Sequence, residues 1–293
     1  MTYAKILVPL TGSPTDATAL NTAFSAAKPF GSHVGALFVH PDPREPMPYM
    51  YSQMRASPVI IQSVIDGQAK IAKEAAAAAR SSLAAAAKDF GATETDGSAT
   101  KKGTGTSSSF EERYGFIPHL VHEAARYADL VVFKPMVADE RPEFASALAD
   151  TLVKANRPVL LSPQTPRSDI GRHIVLAWDG GDAAAHAATA ALPFLKGATK
   201  VDILAVQYGE ERPVPGTGAI RGYLALHGVN VELRRLTHDR QNLGAFLMDA
   251  AAGAGADMIV MGGYGHSRLR ETVFGGVTVD MISHPALPVF LMH

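Results

Sequence analysis

The sequence has 293 residues, of which 47% are hydrophobic and 19% are charged, and its formal net charge is −1. This composition predicts one or two packed domains and excludes a disordered chain. A nearly neutral chain is not expected to bind nucleic acid, which requires an excess of basic side chains. Because there are no cysteines, disulfides and zinc–thiolate sites are excluded. No apolar run approaches the ~20 residues of a membrane span, and no signal peptide is evident, so we expect a cytoplasmic protein that does not bind membranes.

The first half of the chain alternates predicted strands and helices. Its first strand ends in a glycine turn at KILVPLTGS (5–13), and an alanine-rich stretch with apolar residues at helical spacing follows. Residues 64–92 predict a long helix, because alanine, the strongest helix former, fills most of its interior. The other segments are a second strand, a helix that leads into a buried strand, and a closing strand, at residues 33–42, 119–135 and 157–163.

The second half repeats this order. Its first strand again ends in a glycine turn, at HIVLAWDGG (173–181), and the later segments follow at residues 182–197, 200–209, 245–263 and 287–293. Strands that are apolar throughout predict parallel sheets covered by helices on both faces. We therefore expect an α/β fold of two tandem, doubly wound, parallel five-stranded Rossmann-like domains, at residues 1–165 and 168–293, with SPQTPRSD (162–169) as the linker. A single long α/β domain without duplication is the alternative.

One loop of the second half is rich in glycine. GGYGHSRLRETVFGG (262–276) precedes the predicted helix VTVDMISH (277–284). A loop that ends at a helix N-terminus offers free backbone N–H groups and the positive end of the helix dipole, and glycines let that backbone approach a phosphate closely. The loop therefore predicts a phosphate site, with Thr278 able to cap the helix or donate to a phosphate oxygen. The alternative is a plain connection between strand and helix, although such connections usually run about 2–6 residues.

These features resemble the universal stress protein family in its tandem form, over nearly the whole chain. Nucleotide-binding members of that family carry the pattern G-x2-G-x9-G-[S/T] after the fourth strand. Gly262, Gly265 and Gly275 have this spacing, and Gly276 stands where the family has Ser or Thr. The resemblance implies an adenine nucleotide alpha hydrolase-like fold and binding of ATP or a related adenine nucleotide, with or without Mg²⁺, in the second half. The site residues that it implies are Ala177, Asp179, Val206, Met261, Gly262, Gly265, Gly275, Gly276, Val277 and Thr278.

Three positions around the predicted site have alternative interpretations. The side chain of Asp179 can accept hydrogen bonds from ribose hydroxyls or an adenine amine, but it could equally be an exposed turn residue before a helix. Val206 matches a family residue whose backbone faces the base, and it could also belong to the core. Trp178, the only tryptophan, could stack near a ligand, although a buried packing role is more common for a large aromatic side chain.

The first half departs from the family pattern. Thr11 stands where the second half has Asp179, and the segment KPMVADERPEFASALADT (134–151), interpreted as the matching loop, contains no glycine. Ala145 and Ser146 take the places of the last two loop glycines. The acidic residues of this segment are expected to repel a triphosphate. We therefore predict that the first half does not bind nucleotide in the usual mode.

Three functions remain open from the sequence. The first is a stress-response sensor or regulator that binds adenine nucleotide. It would hydrolyse ATP slowly at most, because no general base is placed beside the predicted site. The second is a nucleotide-free scaffold or interaction protein of the same fold, which would use the long helix at 64–92. The third is a weak hydrolase that acts through Asp179 or His266.

The closing strands RPVLLSP (157–163) and LPVFLMH (287–293) indicate how the halves join. In the family these last strands pair across a two-fold axis. The resemblance therefore implies that here they pair within one chain as a pseudo-dimer, which protects both sheet edges. Two such chains could then associate as a homodimer.

Overall fold

The computed structural model describes residues 2–42, 58–96, 105–135, 142–167, 169–208, 214–238, 242–263, 281 and 285–293. Within them, helices cover both faces of one sheet. The strands are β1 (Lys5–Leu10), β2 (His33–His40), β3 (Thr93–Glu94), β4 (Ser107–Tyr114), β5 (Leu130–Phe133), β6 (Val159–Leu161), β7 (His173–Trp178), β8 (Lys200–Tyr208), β9 (Glu232–His238), β10 (Met258–Gly262) and β11 (Val289–Met292). The helices are α1 (Asp16–Ala27), α2 (Pro58–Asp89), α3 (Ile117–Ala125), α4 (Pro142–Val153), α5 (Asp182–Ala190), α6 (Leu192–Gly197), α7 (Thr217–Leu226) and α8 (Leu243–Gly253).

The strand order is β3-β4-β2-β1-β5-β6-β11-β10-β7-β8-β9. Neighbouring strands are parallel, except that β6 and β11 run antiparallel. In each half the first strand is central, the next two long strands lie on one side of it, and the last two lie on the other. This winding confirms the predicted doubly wound α/β fold. The short strand β3, which pairs with the outer edge of β4, is an addition that the sequence pattern did not predict.

The two halves meet at β6 and β11. Three fully buried residues of each strand face each other in register, namely Val159 with Leu291, Leu160 with Phe290 and Leu161 with Val289. The predicted pairing of the closing strands within one chain is therefore confirmed. Because each strand covers the edge of the other, neither half presents this edge to another molecule.

An aromatic cluster reinforces the junction. The ring of Tyr3 lies 5.4 Å from that of Phe30 and 5.1 Å from that of Phe194, and Phe194 lies 6.2 Å from Phe290. The Tyr3 hydroxyl donates to the carbonyl of Ala190 at 2.6 Å, and burial raises the pKa of this phenol above its usual range. Residues from both halves thus share one hydrophobic core on this face of the sheet.

In each half, an aspartate side chain connects the central strand to a neighbouring strand, β1 to β5 in the first half and β7 to β10 in the second. Asp129, just before β5, accepts hydrogen bonds from the backbone N–H groups of Ala4 and Lys5 at 2.7 and 3.0 Å. Asp257, just before β10, accepts bonds at 2.8 to 3.1 Å from three consecutive N–H groups, those of Gly171, Arg172 and His173. The repeat seen in the sequence therefore extends to individual hydrogen bonds.

The long helix predicted at 64–92 is α2, which begins earlier, at Pro58, and ends at Asp89. It connects β2 to the outer strands of its half, as the shorter α7 does between β8 and β9, so it is a lengthened form of a shared helix. Its carboxyl-terminal part buries Ala79 and Leu83 against the sheet. Its amino-terminal part carries exposed apolar side chains, with Val59 78% and Ile71 55% accessible.

A charged network anchors α2 to the sheet. Arg80 donates to Glu112 at 2.9 Å, and the other carboxylate oxygen of Glu112 lies 2.8 Å from Nε2 of His40. The Arg80 guanidinium also lies 4.3 Å from the centre of the Phe110 ring, and the His40 ring stacks on Tyr114. The hydrogen bond with His40, followed by that with Arg80, holds the pKa of Glu112 below its usual range.

Replacing Glu112 with glutamine is expected to lower the free energy of unfolding by about 1 kcal/mol near neutral pH, because charge-assisted hydrogen bonds are lost. The pKa of Glu112 in the folded chain lies below its ordinary value of 4.5. Its stabilising effect is therefore complete above that pH and disappears as the pH falls below it. Urea unfolding of both proteins across this range should show the two free energies converging. A difference that persists unchanged down to acid unfolding would contradict the network.

Candidate functional site

The predicted site lies where three neighbouring strands end. β10, β7 and β8 are adjacent and parallel, so their carboxyl ends meet at one edge of the sheet. The winding changes direction at β7, with β8 on one side and β10 on the other. Such a switch point is where open α/β sheets bind ligands. The structure brings to this edge the predicted residues Ala177, Asp179, Val206, Met261 and Gly262.

Asp179 presents a carboxylate at the centre of this edge. It directly follows β7, its side chain is exposed, and its Oδ1 accepts a hydrogen bond from the N–H of Gly181 at 2.8 Å. Within the described residues Oδ2 accepts no hydrogen bond. Gly180, in the same turn, has a φ of +83°, and a Cβ there would lie 2.8 Å from the carbonyl oxygen of Pro215. The turn is therefore held by close packing, and Asp179 keeps an oxygen available for a ligand.

Gly262 is required by a close contact between elements. A Cβ at this position would lie 2.6 Å from the backbone nitrogen of Ala184 and 2.7 Å from the carbonyl carbon of Ala183, in the first turn of α5. Any side chain would push the end of β10 away from this helix. The packing of strand against helix thus accounts for this glycine, whether or not a ligand lies above it.

The apolar residues of the predicted site have side chains that pack in the core. Ala177 and Met261 are buried, and Val206 packs partly buried against the same core. Trp178 is also buried, and its Nε1–H donates to the carbonyl of Pro215 at 2.9 Å. The packing interpretation of Trp178 is therefore correct, since its indole supports the turn that carries Asp179.

The glycine-rich part of the predicted site lies outside the described residues. This holds for Gly265, Gly275, Gly276, Val277 and Thr278, and also for His266. The phosphate-binding role of this loop therefore stays a prediction from the sequence.

The corresponding edge of the first half holds a closed network. Asp16, in the first turn of α1, accepts hydrogen bonds from the backbone N–H groups of Thr11 and Gly12 and from the Thr11 hydroxyl, at 2.7 to 3.1 Å. Burial raises the pKa of Asp16, and the bonds from Thr11 and Gly12 oppose that shift. This turn is satisfied internally by a buried carboxylate, whereas the turn at Asp179 directs a carboxylate outward.

Lys134 completes the network. Its ammonium lies 3.3 to 3.4 Å from the hydroxyl oxygens of Thr11, Ser13 and Thr15, and the residue is almost fully buried. Lys134 follows Asp129 by the same number of residues as Gly262 follows Asp257, so Lys134 and Gly262 occupy equivalent positions in the two halves. A nucleotide bound here in the expected mode would have to displace this network. That the first half does not bind nucleotide in the usual mode stays a prediction, and this network gives it a physical reason.

Sequence reasoning did not identify Lys134 and Asp16 as parts of this edge. A lysine directly after the buried strand LVVF, together with the hydroxyl-rich run TGSPT before Asp16, was the available signal. The interpretation of residues 134–151 as one loop was also wrong. Helix α4 already begins at Pro142, so Ala145 and Ser146 lie inside it. A proline at the first helical position and Glu143 in the first turn favour this early start.

Two further properties concern only the part of the chain that the structure describes. No cluster of three or more His, Asp or Glu side chains there has an arrangement that could hold a metal ion. None of its helices has both the length and the apolar character of a membrane span.

A family comparison matches residues 2–133 to the universal stress protein family. These residues contain β1 to β5 and every member of the closed network except Lys134. The first half of this chain is a universal stress protein domain. The match covers the half that departs from the nucleotide-binding pattern, so the assignment of this domain does not depend on the glycine-rich loop. A comparison with curated proteins gives no match.

Solved universal stress protein structures share the fold of the whole chain. One from Archaeoglobus fulgidus is similar over 98% of this chain and 95% of its own, with 14% identity and a TM-score of 0.65. A putative universal stress protein from Pseudomonas aeruginosa is similar over 99% of this chain and 93% of its own, with 15% identity and a TM-score of 0.55. The fold of both halves is therefore also found in these solved structures.

Proposed function

We propose that the chain is a tandem universal stress protein of the cytoplasm whose second half binds ATP or a related adenine nucleotide. The observation that carries the proposal is the exposed carboxylate of Asp179 at the switch point of the second half. An acceptor at this place suits the hydroxyls of a ribose or the amine of an adenine. The glycine-rich loop that follows β10 would supply backbone N–H groups to the phosphates.

The proposed role is that of a stress-linked sensor or regulator. Among the predicted site residues that the structure describes, Asp179 has the one polar side chain, and its hydrogen bond comes from the backbone N–H of Gly181, so no second polar group positions it as a general base. Rapid ATP hydrolysis is therefore not expected. Mg²⁺ would arrive with the triphosphate, since this ion commonly binds substrate phosphates together with only one or two carboxylates.

Purification under native conditions, followed by denaturation and identification of released nucleotide, tests this function. Stoichiometric adenine nucleotide, or a rise in the melting temperature on addition of ATP and Mg²⁺, is the expected result. Absence of both would exclude a nucleotide-binding role.

A nucleotide-free interaction protein is the second candidate, and one observation favours it. The amino-terminal part of α2 exposes Val59 and Ile71, and exposed apolar side chains on an extended helix are typical of contact surfaces. In this case the purified protein would contain no nucleotide, and its melting temperature would not respond to ATP.

A further inference from the structure

The two halves of the chain differ at one position that the sheet register defines. In the first half, Leu10 at the end of β1 pairs with Phe38 in β2, and Phe38 in turn pairs with Glu112 in β4. In the second half, Trp178 at the end of β7 pairs with Ala205 in β8, and Ala205 in turn pairs with Arg235 in β9. Arg235 is therefore the counterpart of Glu112. A carboxylate in one half is thus replaced by a guanidinium in the other.

The helix above this position keeps its arginine in both halves. In α2, Arg80 directly follows the buried Ala79 and comes three residues before the buried Leu83. In α7, Arg221 has the same position relative to the buried residues Ile220 and Leu224. In the first half Arg80 and Glu112 form an ion pair at 2.9 Å. In the second half the corresponding residues are two arginines, Arg221 and Arg235. Neither forms a hydrogen bond or an ion pair with any described residue.

The two arginines line an open groove of about 560 Å³ between α7 and β9. Gly218, Gly222 and Ala225 form its helical wall, and Leu233 lies on the strand side. Leu233 occupies the register position of Phe110, whose ring lies beneath Arg80 in the first half. Small side chains therefore leave space in the second half where the first half is filled by an aromatic ring and an ion pair.

The outer edge of the adjacent strand differs as well. In the first half, β3 pairs in parallel with β4, and the N–H of Thr95 donates to the carbonyl of Ser108 at 2.8 Å. This added strand has the sequence Thr93-Glu94, which is polar and acidic. Within the described residues no strand lies beyond β9 in the second half. The same fold thus accepts an added strand at one end of its sheet, and no described strand occupies the other end.

We propose that the groove between α7 and β9 binds an extended acidic segment of a partner protein, which adds a strand to the edge of β9. Backbone hydrogen bonds to β9 would hold the segment, as in other cases of strand addition. A carboxylate from the segment would lie between Arg221 and Arg235 and provide the negative charge that Glu112 provides in the first half. Asp179 is not among the residues that line the groove, so the proposal does not rest on nucleotide binding.

A fluorescein-labelled eight-residue peptide of alternating threonine and glutamate tests the proposal by fluorescence anisotropy with the full chain. The wild-type protein should bind it, and the variant Arg235→Glu should bind it at least tenfold more weakly, because the new carboxylate would pair with Arg221. Arg221→Gln should also weaken binding. Arg126→Glu, the same charge change on an exposed surface of the first half, is the matched control and should bind as the wild type does. Circular dichroism should show that every variant is folded.

Two further probes separate strand addition from simple charge attraction. A version of the peptide with N-methylated backbone nitrogens keeps its charge but cannot donate to β9, so its binding should fall at least tenfold. Equal binding of both versions would overturn strand addition. Displacement of the peptide by millimolar inorganic phosphate would show a site for a free anion and would also overturn the proposal, as would unchanged binding to Arg235→Glu.

Discussion

Replacing Gly12 with alanine is expected to lower the free energy of unfolding by about 3 kcal/mol or more. Gly12 has a φ of +78°, a conformation that disfavours any side chain. A Cβ there would also lie within 2.6 Å of the Cα of Ala75, so α2 would have to move away from the turn after β1. Both costs act together, because the backbone of Gly12 lies directly against Ala75 of α2.

Urea unfolding of Gly12→Ala beside Gly91→Ala separates these two costs. Gly91 has a φ of +64°, and a Cβ at this position would have no atom within 4 Å. Its replacement should therefore cost only about 1–2 kcal/mol, the conformational part. Gly180→Ala, at the equivalent turn of the second half, should resemble Gly12→Ala, because its Cβ would lie 2.8 Å from the carbonyl of Pro215. Equal losses at Gly12 and Gly91 would show that α2 does not pack on this turn.

Replacing Asp179 with alanine is expected to weaken ATP binding by about 10- to 100-fold. A hydrogen bond to a charged acceptor contributes about 1.5–3 kcal/mol, and every 1.4 kcal/mol changes affinity about tenfold. The variant should remain folded, since the side chain is exposed and its one bond among the described residues is to the N–H of Gly181. Isothermal titration with ATP and Mg²⁺ measures the change directly.

Asp249→Ala provides the matched control, because it removes an exposed carboxylate from α8, away from the edge at Asp179. Its affinity for ATP should stay within about twofold of the wild type. Gly275→Leu tests the glycine-rich loop separately and should abolish binding if the backbone there approaches the phosphates closely. Loss of binding in both Asp179→Ala and Asp249→Ala would point to an effect of net charge and would remove the specific role of Asp179.

The asymmetry between the halves was only partly visible in the sequence. Thr11 in place of an aspartate, and the lack of glycine after β5, predicted correctly that the two carboxyl edges differ. The cause is the buried pair of Asp16 and Lys134. These residues lie far apart in the chain, so the two local signals, a lysine after β5 and a hydroxyl-rich run before Asp16, did not by themselves show that the two segments meet.

The sequence by itself determined the α/β class and the repeated winding, and the resemblance to a family implied the pairing of the closing strands. The class and the winding are local properties. These depend on apolar periodicity and on turn residues, which act over a few neighbouring positions. Only the tertiary structure decided why Gly262 must be glycine, that Trp178 supports a turn, and that Arg221 and Arg235 meet where the first half has an ion pair. Each of these depends on close approach between elements distant in the chain, and such contacts exist only once the sheet has formed.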